Sequence, residues 1–118
     1  MNKFNGIEEQ KLELFRNKLL LNDYNDFLEK LYNYKYIENI NDIKLGRYIR
    51  WISLLNDELK LTSGGFCCSI ILNEKETKIF CKNVMNETFC CIFDSSLVFQ
   101  KFSKQEIIIR KIIIDINS

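Results

Sequence analysis

The chain has neither proline nor histidine. Histidine is the side chain whose ordinary pKa suits proton transfer near neutrality, and it is the commonest metal ligand. Its absence removes the usual general base, the usual partner of a nucleophilic cysteine or serine, and every zinc site that mixes cysteine with histidine. An excess of charge of one sign is also missing: 17 Lys and Arg against 16 Asp and Glu leave a net +1. That balance builds no long-range field to hold a polyanion, so nucleic acid binding would require a local basic patch. Long apolar runs are lacking too. The most apolar stretch, residues 107–116, is split by Arg110 and Lys111, and a bilayer span needs about twenty such residues. The opening MNKFNGIEEQ has no apolar core of the kind a signal peptide carries. A soluble, intracellular, cytoplasmic protein is expected.

What is present is ordinary in amount and unusual in kind. At 118 residues with 47% hydrophobic side chains, the chain suits one domain around one modest core. Isoleucine, asparagine and lysine are heavily used, and all three have AT-rich codons, so part of that usage reflects genome composition. The five cysteines are an odd number with two adjacent pairs, which fits a reducing compartment better than a disulfide framework.

The N-terminal third reads as helical. Asn5 can cap a helix and Glu8 stands three residues on, the capping-box spacing. Ile7, Leu14, Phe15 and Leu19 follow at near-helical intervals, giving a helix over 7–20. Tyr24, Phe27, Leu28, Leu31 and Tyr32 then trace one apolar helix face, giving a second helix over 23–33 and a helical hairpin. Residues 34–45 are rich in Asn and Asp and read as an irregular crossing.

At Arg47 the period changes to two. Tyr48, Arg50, Ile52 and Leu54 share one face of a strand, and Arg47, Ile49, Trp51 and Leu55 the other. A turn at 56–58 leads to a long strand over 59–72, bent at Gly64-Gly65, in which Phe66, Cys68, Ile70 and Leu72 alternate inward. Further strands follow over 77–83, 88–93 and 97–102, with turns at 73–76 and 83–87. Ser103 and Glu106 form a capping box before the isoleucine-rich tail. The tail is read as a helix, with a buried strand as the alternative because of its β-branched residues.

The fold expected is α+β: an N-terminal helical hairpin (1–45), a five-stranded antiparallel SH3-like barrel (46–102) and a closing C-terminal segment (103–118). The expected core is Leu14, Phe15, Leu19, Phe27, Leu28, Leu31, Ile49, Trp51, Phe66, Cys68, Ile70, Ile79, Cys81, Phe89, Cys91, Phe93, Val98 and Ile112.

Three constellations bear on function. Cys67, Cys68, Cys81, Cys90 and Cys91 fall on successive strands, but alternation sends adjacent cysteines to opposite faces, so neither a metal site nor any cofactor is expected. Gly64-Gly65 precedes a strand rather than a helix and is no phosphate cradle. Arg47, Tyr48, Arg50, Trp51, Lys60 and Phe66 form a basic–aromatic set. Trp51 and Phe66 are assigned to the core, which leaves Tyr48, Arg50 and Lys60 as candidate binding residues.

The string Gly46-Arg47-Tyr48-Ile49-Arg50-Trp51-Ile52, then Gly64-Gly65-Phe66 and Leu97-Val98-Phe99-Gln100-Lys101, resembles a pattern in uncharacterised small proteins of large nucleocytoplasmic DNA viruses. The likeness covers the strands between 46 and 101; the N-terminal helices fall outside it. It implies a small SH3-like barrel in a viral protein, in the host cytoplasm or virion, and brings no catalytic residues. The expected function is therefore a non-enzymatic protein–protein interaction or structural module with a protein partner or a second copy. An exposed apolar face on the first helix or on the isoleucine-rich tail would supply the contact. The alternative is nucleic acid binding by the barrel face.

Overall fold

A computed structural model describes residues 3–19 and 21–117. Helix α1 (Lys3–Lys18) and helix α2 (Leu21–Lys30) form the expected hairpin. Because α1 begins before Asn5, that residue cannot be its N-cap. Glu8 instead accepts a hydrogen bond from the Tyr36 hydroxyl. Leu20, the last residue of the first expected helix, lies outside the described residues.

Six strands follow: β1 (Tyr34–Ile37), β2 (Tyr48–Ser53), β3 (Gly65–Leu72), β4 (Thr77–Lys82), β5 (Thr88–Ile92) and β6 (Ser96–Lys101). All pair antiparallel in the order β1-β6-β2-β3-β4-β5. The α+β class is as expected, but the sheet has six strands and does not close into a barrel. The extra strand is β1, in the segment read as an irregular crossing. It takes an outer place beside β6 and leaves β1 and β5 as two separate edges. The sheet nonetheless coils enough for Ile37 of β1 and Cys91 of β5 to belong to one apolar cluster, with Ile49, Trp51, Cys67, Ile79, Cys81 and Val98.

Asparagines set the connections, as short amide side chains do when they mimic a backbone turn. Asn73 accepts from the Lys75 and Glu76 N–H groups at 3.0 and 2.8 Å. Asn83 does the same for Met85 and Glu87. Asn39 caps a 3-10 turn at Ile40–Asp42. Buried Gln100 fastens that turn to the sheet: its Oε1 accepts from Lys44 N–H at 2.8 Å and its Nε2 donates to the Asp42 carbonyl.

The long strand expected over 59–72 is shorter. Pairing begins at Gly65, and residues before it form a loop that meets β2 at an isolated Ile52–Leu61 bridge and through hydrogen bonds of Thr62 and Ser63. The register then slips between Cys67 and Ser69. This bulge turns Cys67, rather than Phe66 and Cys68, into the core: Phe66 and Cys68 are exposed and Cys67 is buried. Downstream of the bulge Ile70 regains the inward phase and packs against the cluster.

Helix α3 (Lys104–Asn117) settles the tail as a helix. Its capping box is formed as expected: Glu106 N–H donates to Ser103 Oγ at 3.1 Å, and Ser103 N–H donates to Glu106 Oε1 at 3.0 Å. The same carboxylate pairs with Arg47 at 2.5 Å. Ile112, placed in the core from the sequence, is 52% exposed, because no element covers this helix and none of its residues is buried.

The Ser103 backbone N–H, and after it Arg47, hold the Glu106 carboxyl at about 2 against the opposing effect of burial. A carboxylate depressed by folding stabilises the fold above its ordinary value and ceases to do so as pH falls through the depressed one. The attachment of α3 should therefore weaken progressively as pH is taken from about 4.5 toward about 2. Glu106→Gln should cost about 1 kcal/mol near neutrality and remove that acid limb, as read by helical circular dichroism against pH. An unchanged acid limb in the variant would show that this carboxylate is not its source.

Candidate functional site

The three residues singled out as a binding set do not converge. Tyr48 and Arg50 share a face of β2 as expected, but both fasten the loop that precedes β3. Tyr48 Oη donates to the Ser63 carbonyl at 2.6 Å, and Arg50 Nε donates to the Thr62 carbonyl at 2.8 Å. Lys60 is exposed on that loop, and among the described residues no hydrogen bond or ion pair joins it to either partner. Arg47, assigned to the opposite face, is committed to Glu106.

The cysteines alternate as expected within each pair: Cys68 and Cys90 are exposed, while Cys67, Cys81 and Cys91 are buried. Burial pushes the Cys81 and Cys91 thiols up to about 12, and raises Cys67 as well. That is the direction opposite to an activated thiolate. Among the described residues no group of three or more His, Cys, Asp or Glu is placed to hold a metal ion.

The concave feature lies elsewhere, between the helical hairpin and the sheet. Strand β2 is apolar on both faces. Ile49 and Trp51 enter the coiled interior, while Ile52 and Leu54 face the helices in a second cluster with Phe27, Leu59 and Leu97. A strand buried on both sides reads as a near-continuous apolar run rather than as alternation, and Ile49, Trp51, Ile52 and Leu54 carry that signal. Polar contacts seat the hairpin on residues of both clusters. Lys18 Nζ donates to the Leu54 carbonyl at 2.7 Å and to the Asn56 carbonyl at 3.0 Å. Lys11, almost fully buried, donates to the Phe93 carbonyl at 2.7 Å and stands 4.2 Å over the Phe93 ring. Burial lowers the pKa of this lysine, with nearby Glu8 and Asp94 opposing. Tyr36 bonded to Glu8 fixes the other side, and burial, reinforced by that carboxylate, raises the pKa of its hydroxyl.

The seal is incomplete. An open groove of about 450 Å³ runs between α1, α2 and the sheet. Leu12 and Phe15 of α1, Tyr24, Phe27 and Leu28 of α2, and Leu31 in the turn that follows it form one wall. Tyr34 and Tyr36 of β1, Ile52 of β2 and Leu97 and Phe99 of β6 form the other, with Tyr32 at the rim and Arg110 as the one charged lining residue. Phe15 and Phe27 lie 6.4 Å apart, and Tyr36 and Phe99 5.4 Å apart, in tilted ring pairs. Leu28, Tyr24 and Tyr32 remain 56%, 48% and 72% exposed. The spacing of Leu28 matches the apolar stripe of α2 and predicts a core position. The stripe is real, but the sheet beneath fills only part of it.

Comparison with protein-family models, with curated proteins and with solved structures finds no match. The groove thus stands on its chemistry alone. It has no paired carboxylates, no nucleophile beside a base and one cation. Its lining can desolvate an apolar side chain or a short apolar helix face, with tyrosine hydroxyls and one guanidinium at the rim. No helix of the described residues is long and apolar enough to cross a membrane.

Proposed function

We propose that the protein is a non-enzymatic interaction module that binds an apolar protein segment in the groove between α1–α2 and the sheet. The observation that carries this reading is the apolar groove itself, about 450 Å³ and open to solvent. Covering its rim removes Tyr24, Leu28 and Tyr32 from water at roughly 25 cal/mol per Å² of apolar surface, and tyrosine-rich pockets of this kind anchor protein interfaces. The strand patterns at 46–66 and 97–101 add a proposal of setting, a viral protein of the cytoplasm or virion. That proposal rests on the resemblance alone.

The test compares tagged wild-type protein with Leu28→Glu in capture from a lysate of the source cells. Leu28 is more than half exposed, so the charge is tolerated in the free fold, whereas a buried carboxylate without a partner opposes binding strongly. At least one protein retained by the wild type should fall by about tenfold or more with the variant. Identical retention by the two proteins would count against the groove as a docking site.

A further inference from the structure

The second large apolar surface is on α3. Glu106 and Arg110, four residues apart on one side of the helix, tie it to the body. Glu106 pairs with Arg47, and Arg110 Nη1 donates to the Tyr32 carbonyl at 3.2 Å while its guanidinium lies 5.3 Å from the Phe102 ring centre. Ile108 and Ile112 fall on the side turned away from these anchors and Ile109 and Ile116 flank them; the four are 58%, 52%, 56% and 75% exposed. The stripe cannot reach the groove of its own chain, because the anchored side of α3 is the one that stands at the groove's rim.

We infer that the protein forms a two-fold dimer in which the isoleucine stripe of each α3 seats in the α1–α2 groove of the other copy. This rests on the reading of the groove as a docking site and names its occupant. Three observations point to a second copy. First, lengths match: the stripe from Ile108 to Ile116 spans about 12 Å and α2 about 15 Å. Second, area decides between modes of pairing. The stripe offers on the order of 400 Å² per copy, half of the roughly 800 Å² that a stable interface buries on each side. Pairing α3 with α3 therefore falls short. Exchange counts both the stripe and the groove on each copy and reaches the needed size, and a closed two-fold leaves neither surface open. Third, the charges are opposite in sign. Helix α2 carries Asp23 and Glu29 beside the Asp26–Lys30 pair, and α3, apart from its anchors Glu106 and Arg110, carries Lys104 and Lys111 against Asp115.

Light scattering and sedimentation of the full chain test the inference. The wild type should run at twice its 14.1 kDa mass. Ile112→Glu in the stripe and Leu28→Glu in the groove should each raise the dissociation constant at least about 30-fold, with circular dichroism unchanged. An equimolar mixture of the two variants should recover a mixed dimer, weaker than the wild type, because it keeps one intact stripe and one intact groove facing each other. A monomeric wild type at high micromolar concentration overturns the inference, as does a Leu28→Glu protein that still dimerises through α3 alone, or a mixture that yields no mixed dimer. A monomer whose lysate capture is still lost in Leu28→Glu would sink the dimer and leave the docking reading standing.

Discussion

Gly64→Ala is expected to destabilise the fold by about 3 kcal/mol or more and to lower Tm by about 10–15 °C. Two effects add. Gly64 has φ of +78°, where a Cβ meets the neighbouring carbonyl and costs about 1–2 kcal/mol. In addition, a Cβ at this position would stand 2.0 Å from the Ile49 carbonyl oxygen and 2.9 Å from Arg50 Cγ. The first obstacle is backbone of the central strand β2 and can yield only by moving that strand. The close approach is what lets the loop before β3 reach β2. There Thr62 N–H donates to the Trp51 carbonyl at 2.9 Å, and Trp51 N–H donates to Thr62 Oγ1 at 3.1 Å. Gly46 gives the control. Its φ is +88°, yet nothing lies within 4 Å of a Cβ there, so Gly46→Ala should cost only about 1 kcal/mol. Urea and thermal unfolding of the two variants read the difference, and equal losses would show that the close approach at Gly64 is not what its glycine is for.

Trp51→Ala should cost about 3–5 kcal/mol, the range for removing a large buried aromatic and leaving a cavity. Trp51 is 8% exposed, stands opposite Val98 of β6, and shares the coiled interior with Ile37, Ile49 and Cys67. The strand pattern alone places Phe66 in the same core. It is 45% exposed and packs edge-on against Tyr48 with ring centres 5.0 Å apart. Phe66→Ala should therefore cost only about 1 kcal/mol. Far-ultraviolet circular dichroism in denaturant is the suitable readout, since the only tryptophan is removed in one variant. Comparable losses for the two would contradict the separation of these rings by the register slip in β3.

The errors and successes of sequence reading here sort by range. Where a hydrogen bond closes within a few residues, the pattern was mostly legible, the capping box read at Asn5 and Glu8 being the exception. The capping box of Ser103 and Glu106 formed as read, and the asparagine turns at 73–76 and 83–87 fell where expected. The period-two alternation of β2 put Ile49 and Trp51 inside. Adjacent cysteines took opposite sides because strand geometry alone requires it. Local signals failed where the deciding partner is distant. Tyr34–Ile37 is a four-residue strand only because β6 returns to pair with it. The slip that exposes Phe66 and Cys68 belongs to pairing with β4, and nothing in residues 66–72 alone announces it. The basic–aromatic set looked like a site because arginine and tyrosine densities are visible in sequence. What those polar atoms hold is a loop, which is visible only when residues some twelve positions apart meet.

The groove shows the same division. Its lining residues Phe15, Phe27, Leu28 and Leu31 stand in recognisable apolar stripes, whereas Tyr34 and Tyr36 do not; the sequence by itself determined two amphipathic helices, the strands from β2 onward and an isoleucine-rich capped helix at the end. It could not determine which parts of those stripes are covered. An amphipathic face records that burial is favourable, since apolar area is best removed from water wherever it lies along the chain. Whether the partner surface comes from the same chain depends on strand order, sheet coiling and the anchoring of α3 by Arg47 and Tyr32. These are long-range contacts, and the tertiary structure alone decided them. It left Leu28 and Ile112 in water, although their spacing is that of core residues.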